Sequence, residues 1–161
     1  VFISIGSNLG NKKRNIELTK FELKENDINI IKSSSDYETF SWPDKSKPKF
    51  INVVLKIKTC LSPQDLMKKC LNIEKKLGRK KNKKNEPRII DIDIIDYDNQ
   101  IIKKNSDNDL SIPHPNMHKR NFVLLPLFEL SKTWIHPVKR TSVKDLINSL
   151  KIEELRAIKL L

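Results

Sequence analysis

Residues 87–96 read Pro-Arg-Ile-Ile-Asp-Ile-Asp-Ile-Ile-Asp. From Ile90 to Ile94 apolar and acidic residues alternate, the period of a half-buried β-strand. Ile90, Ile92 and Ile94 then point to one face, and Asp91 and Asp93 to the other. Each strand residue advances about 3.3 Å, so the two carboxylates stand roughly 7 Å apart on one side. Aspartate is depleted in strands, and two on one face repel unless a cation lies over them. A solvated outer face would satisfy this pattern. So would a divalent-cation site, because magnesium in phosphoryl-transfer enzymes is held by one or two carboxylates, with phosphate and water completing its shell. The preceding segment favours the second reading. Residues 79–88 carry six cations and one anion without a hydrophobic side chain. A basic loop entering a diacid strand has both halves that a polyphosphate with its metal requires.

At 161 residues the chain is long enough for one domain with a proper core. Its net charge of +12 makes polyanions reasonable partners, but lysines are scattered along the whole chain, so the local cluster at 79–88 says more. Cys60 and Cys70 match no zinc or redox spacing and read as buried free thiols. No run of eighteen apolar residues or signal peptide is visible, which predicts a cytoplasmic protein without a membrane partner. The chain begins within a strand and without Met, so residues upstream are expected.

Residues 1–5 read as a buried strand, closed by Gly6-Ser7-Asn8-Leu9-Gly10-Asn11, where the glycines and Asn8 are expected to supply positive φ angles. The spacing is superficially like a phosphate-binding P-loop but lacks the Lys-Ser/Thr ending. Residues 11–26 can form a helix with Ile16, Leu18, Phe21 and Leu23 inward. Residues 28–40 read as a second strand, 41–48 as a loop with two prolines and Trp42, and Phe50–Lys58 as a third strand. Asn52 shares a face with Phe50 and Val54, an aromatic-plus-amide pair suited to a flat heterocycle. Ser62-Pro63-Gln64-Asp65 opens a helix whose stripe is Leu66, Met67, Cys70, Leu71, Ile73 and Leu77, with Gly78 as its stop. Glu74 lies on that stripe and needs a partner, for which Arg79 is one turn away.

Beyond the diacid strand, residues 97–100 predict a hairpin turn into Ile101-Ile102. His114 and His118 have helical metal-ligand spacing, but the prolines between 113 and 115 argue against a helix and against zinc. Residues 122–130 read as a short helix containing Pro126, and Ser142 caps a last helix to about residue 150. The order strand, helix, strand, strand, helix, strand is the ferredoxin-like βαββαβ arrangement. The expected fold is therefore α+β: one domain over 1–161, an antiparallel sheet with helices on one face, and a C-terminal hairpin and helix extension.

Five segments together resemble one family: Gly6-Ser7-Asn8-Leu9-Gly10; Phe50-Ile51-Asn52-Val53-Val54; Glu74 through Gly78-Arg79; Pro87-Arg88-x2-Asp91-x-Asp93-Ile94; and Pro113-His114-x5-Arg120-x-Phe122. That family is 6-hydroxymethyl-7,8-dihydropterin pyrophosphokinase, of the folate pathway. The resemblance implies a transferase that moves pyrophosphate from MgATP to the pterin hydroxymethyl group, giving AMP. It makes Asp91 and Asp93 the ligands of two magnesium ions, and puts Arg79, Lys81, Arg88, His114 and Arg120 along the nucleotide. Glu74, Ile94 and Ser111 would line the nucleotide pocket. Phe50 and Phe122 would sandwich the pterin, Asn52 and backbone groups near Thr39 and Trp42 would read its edge, and Gly6 would permit its close approach. Catalysis would fall chiefly to Arg79, Arg88, Asp91 and Asp93. The loops 41–48 and 80–86 become lids that exclude water.

The chain departs from the family at Asn85-Glu86, where an aromatic and a glycine are frequent, at Lys81 and Asp109, where Arg occurs, and at Phe50, where Tyr is frequent. A small basic RNA-binding module is the rival, but it expects aromatics where the acids of the diacid strand stand, so no nucleic-acid partner is expected. Oligomeric state is left open, with a monomer compatible.

Overall fold

The computed structural model describes residues 1–41, 44–79, 86–104 and 109–161. Six strands form one antiparallel sheet: β1 (Phe2–Ser7), β2 (Asn29–Ser33), β3 (Tyr37–Thr39), β4 (Phe50–Lys58), β5 (Asp91–Asp96) and β6 (Ile158–Leu160). Its order is β5-β1-β4-β3-β6, with β2 pairing the far half of β4. Two crossover helices, α1 (Lys12–Glu25) and α2 (Pro63–Lys76), each return to a strand one place removed from where they left. Strand β4 thus separates β1 from β2, and β1 separates β4 from β5, the split βαβ arrangement expected.

The two faces of the sheet are covered differently. Ile3, Ile5, Val53, Leu55, Ile92 and Ile94 face α1 and α2, meeting Ile16, Leu23, Leu66, Cys70 and Ile73 in one core. Phe2, Val54 and Ile95 face the other way, into a second core with α3 (Asn121–Leu130) and α4 (Val143–Asn148). Helices therefore cover both faces, where one was expected. The apolar residues of the C-terminal third, including Val123, Leu124, Leu127 and Trp134, need a sheet face to bury against, and the second face supplies it.

Local signals hold where a cap or a repeat specifies them. Ser62 accepts from the Asp65 amide at the start of α2, and Gly78 adopts φ +95° just past its end. The turn after β5 has φ +48° at Asp98 and +59° at Asn99. Strand β4 keeps the bounds expected of it, Phe50–Lys58.

Other expectations are corrected. Leu18 and Phe21 are 40% and 56% exposed, because the buried face of α1 is Ile16, Thr19, Glu22 and Leu23, on the opposite side of the helix. Leu71 and Cys60 are exposed for the same kind of reason, since neither lies over the core. In the first turn, Gly10 takes φ +66°, whereas Gly6 belongs to β1 and Asn8 keeps a negative φ. The long strand over 28–40 is two strands: Ser34 donates its amide to Val54 O and its hydroxyl accepts from Val54 N, which interrupts the ladder. Ile102 pairs with Ile112 as an isolated bridge, and among the described residues no hairpin with β5 forms. The chain also continues past α4 into α5 (Ile152–Arg156) and β6, which pairs with β3.

Candidate active site

The end of β1 and the starts of β4 and β5 converge on the α3 side of the sheet. Gly6 sits in register between Asn52 and Asp91, and Ser4 between Val54 and Asp93. Alternation along each strand therefore puts Phe50, Asn52, Asp91 and Asp93 on one face around Gly6. A Cβ on Gly6 would lie 3.0 Å from Asn52 Oδ1 and 3.4 Å from Phe50 Cδ1, so only glycine leaves this surface open. Asn52 is buried and donates Nδ2 to Thr39 Oγ1 at 2.9 Å, which fixes the amide plane with Oδ1 over Gly6. These are the groups expected for a flat heterocycle, brought together at one sheet end.

The paired acids are not merely solvated. Asp91 Oδ1 is met by Arg79 Nη1 at 2.8 Å and by Arg88 Nη1 at 3.0 Å. Arg120 Nη1 lies 3.0 Å from Asp93 Oδ2, and His114 Nε2 lies 3.8 Å from the same oxygen. Three arginines from three segments thus surround two carboxylates that stand two residues apart. Arg79 also pairs with Glu74, whose Oε1 accepts from the Ile92 amide at 2.7 Å. Glu74 is 2% exposed, and burial pushes its carboxyl up to about 7 against the opposing pull of the Ile92 amide and Arg79. It is a hinge between α2, the first basic residue after it and the diacid strand.

Burial also pulls His114 below the ordinary imidazole range, against the carboxylate of Asp93. Its Nδ1 accepts from the Asn116 amide at 3.2 Å, which leaves Nε2 as the donor directed to the acid. His118 packs edge-on to His136 at 6.1 Å, and its short helix Met117–Lys119 is 3-10. Phe122, at the start of α3, lies with its ring 5.6 Å from the Arg120 guanidinium. Beside it opens a cavity of about 460 Å³, bounded by Thr39, Phe40, Lys45 and Phe122 and by Glu153 and Ala157 of the C-terminal segment.

Not every expected residue joins this group. Ile94 is buried in the α1/α2 core, on the face away from the acids. Ser111 is half-buried, three residues before His114. Lys81 and Trp42 lie outside the described residues, as does most of the basic run. Asp109 pairs with Lys104 at the surface. Two asparagines escaped sequence reasoning. Asn8 binds the Arg88 backbone, and Asn15 donates to Ser7 Oγ, Leu9 O and Ile89 O. Short polar residues in a glycine turn and on a helix gave no signal beyond turn and surface chemistry.

The magnesium expected here can be tested against the donors present. Asp91 and Asp93 offer hard oxygen ligands on one face of a sheet-edge strand, with arginines placed to receive phosphate beside them. That set suits an ion shared with a polyphosphate.

The profile described as 7,8-dihydro-6-hydroxymethylpterin-pyrophosphokinase matches residues 2–132. The chain belongs to this family. The Aquifex aeolicus 2-amino-4-hydroxy-6-hydroxymethyldihydropteridine pyrophosphokinase is 39% identical over 145 residues, covering 90% of this chain and 88% of that one. The folic acid synthesis protein FOL1 of Dictyostelium discoideum is 43% identical over 137 residues, which is 85% of this chain but 20% of that longer protein. Among solved structures, HPPK-DHPS in complex with substrates superposes with TM-score 0.76 at 16% identity, over 99% of this chain and 46% of that one. Wild-type Plasmodium falciparum HPPK-DHPS gives TM-score 0.70 at 17% identity, over 91% and 44%. The pyrophosphokinase fold is thus shared at distances where sequence likeness has nearly vanished.

Proposed function

We propose that this pyrophosphokinase-family chain transfers the pyrophosphoryl group of ATP to the hydroxymethyl group of 6-hydroxymethyl-7,8-dihydropterin. The hydroxymethyl oxygen forms a bond to the β-phosphorus, the bond from that phosphorus to the α-phosphate bridging oxygen breaks, and the hydroxyl proton is lost. AMP and the pterin diphosphate are the products. One observation carries the reading: Asp91 and Asp93 share a sheet face with Gly6, Phe50 and Asn52, and are ringed by Arg79, Arg88 and Arg120.

In this reading Asp91 and Asp93 would hold magnesium, two ions in all. When bound, the metal would supply compensation for the negative charge of the phosphate oxygens. The arginines take the phosphate oxygens themselves. Because the transferred group changes partners with little covalent help from the protein, alignment and charge compensation supply most of the acceleration. The pterin ring lies between Phe50 and Phe122, with Asn52, Thr39 and the backbone near Trp42 on its edge. His114, Lys81, Glu74 and Ser111 complete the nucleotide side, whereas the Ile94 side chain, in the core behind the sheet, has no part in it. We take residues 1–161 as a single domain of the cytoplasm. The first part is supported by β6, which returns the end of the chain to the same sheet as β1. Among the described residues no helix is long and apolar enough to cross a membrane.

Replacing either acid tests the assignment. Asp91→Ala and Asp93→Ala should each lower turnover by at least about a thousandfold, as loss of a main charge-compensating group does. Thermal unfolding should stay cooperative, since both side chains are half-exposed. Either variant turning over at a rate near that of the parent would refute the metal role.

A further inference from the structure

Asn8 lies just after β1 and is 4% exposed, yet no substrate contact falls to it. Both ends of its side chain are used. Oδ1 accepts from the Arg88 amide at 2.7 Å, while the Asn8 amide donates to Arg88 O at 3.2 Å, so the Arg88 backbone is clasped twice. Nδ2 donates to Ser41 Oγ at 3.3 Å and to Pro48 O at 3.2 Å, the two ends of the 41–48 loop. Ser41 Oγ itself donates to Pro48 O at 2.6 Å, closing the loop at its base. The same segments meet once more at the surface, where Lys47 Nζ lies 3.2 Å from Glu86 Oε1. Glu86 is one of the positions that departs from the family pattern. That half-exposed pair contributes little, whereas a buried amide that loses its partners bears its full desolvation penalty.

The segments so joined serve different substrates in the proposed reaction. Arg88 touches Asp91 on the nucleotide side. The 41–48 loop follows Thr39, which holds Asn52 on the pterin side. We propose that Asn8 is a positioning residue that couples the two subsites. By holding the Arg88 backbone and the base of the 41–48 loop in one arrangement, it makes a ligand that fixes the position of one favour the bound position of the other. Such coupling is reciprocal. The inference rests on the pyrophosphotransferase reading and adds a residue to it.

The test is a binding cycle. Dihydropterin affinity is measured by calorimetry with and without a non-hydrolysable ATP analogue and magnesium, in the parent chain, Asn8→Asp and Asn8→Ala. The parent should bind pterin about 5- to 150-fold more tightly when the analogue is present, the usual span of such coupling. Asn8→Asp keeps the acceptor for Arg88 and the side-chain shape but removes both donated bonds, so it should fold. Its affinity for the analogue alone should stay within about threefold of the parent, while the coupling factor falls below about twofold. Asn8→Ala should lose the coupling and weaken both ligands. A merely structural Asn8 would lower the melting temperature and weaken both ligands with the coupling factor unchanged, and that result overturns the proposal. So does a parent chain whose ligands bind independently. A parent chain that binds no pterin overturns the transferase reading itself, whereas turnover with coupling intact in both variants removes only Asn8.

Discussion

Gly6 shows how narrowly single residues are specified at this site. It is a strand residue without positive φ, so its value lies in what it leaves empty. A methyl group there would stand 3.0 Å from Asn52 Oδ1, a distance that forces the amide to move. Gly6→Ala should therefore weaken pterin binding about tenfold, the equivalent of 1–2 kcal/mol of overpacking, with affinity for the ATP analogue unchanged. Calorimetry on each ligand separately checks this; equal losses for both, or none, would contradict it. Asp91, Asp93 and Asn52 were legible in the sequence because each breaks the apolar expectation of its strand. Asn8 was not, because an asparagine between two glycines reads as turn chemistry, while its work is done by long-range hydrogen bonds. Glu74 was legible as a carboxylate needing a partner. Its bond to the Ile92 amide needed the packing of α2 against β5.

At the scale of elements, Glu74 joins α2 to β5 and gives that contact a pH dependence. A carboxyl raised from 4.5 to about 7 binds more protons folded than unfolded between those values. Its contribution is then complete below pH 4.5 and lost as pH rises through 7, by at most about 3 kcal/mol. Glu74→Gln keeps an acceptor for Ile92 and removes the titration. Relative to the parent, this variant should gain stability as pH is raised from 5 to 8, measured by urea unfolding at each pH. A difference that stays flat across that range would contradict the burial of this charge. The lowered imidazoles of His114, His118 and His136 act in the opposite direction, and they cancel in the comparison. Helices with caps and a stripe were legible, as α2 shows. The exposed Leu18 and Phe21 of α1 were misplaced because charged neighbours blur its period. Strand β6 gave no signal, since Leu160 is exposed and its place is set by backbone pairing to β3.

At the scale of the molecule, the split βαβ order brings three strand ends together, and the C-terminal third lays α3 across the face on which they open. That covering layer brings Arg120 to Asp93 of β5 and the Phe122 ring to the Arg120 guanidinium. Chain order was readable from the alternation of patterns. The second covered face was not, because nothing local tells a helix which side of a sheet it will bury. The net charge of +12 says little by itself; the arrangement of Arg79, Arg88 and Arg120 around two aspartates says much more. In the proposed reaction this arrangement moves two phosphoryl groups as one unit, which the identity of the products reveals. The chain, incubated with magnesium, ATP and 6-hydroxymethyl-7,8-dihydropterin, should release AMP in step with pterin diphosphate. Release of ADP, or AMP formation that does not require the pterin, would rule out pyrophosphoryl transfer to the pterin.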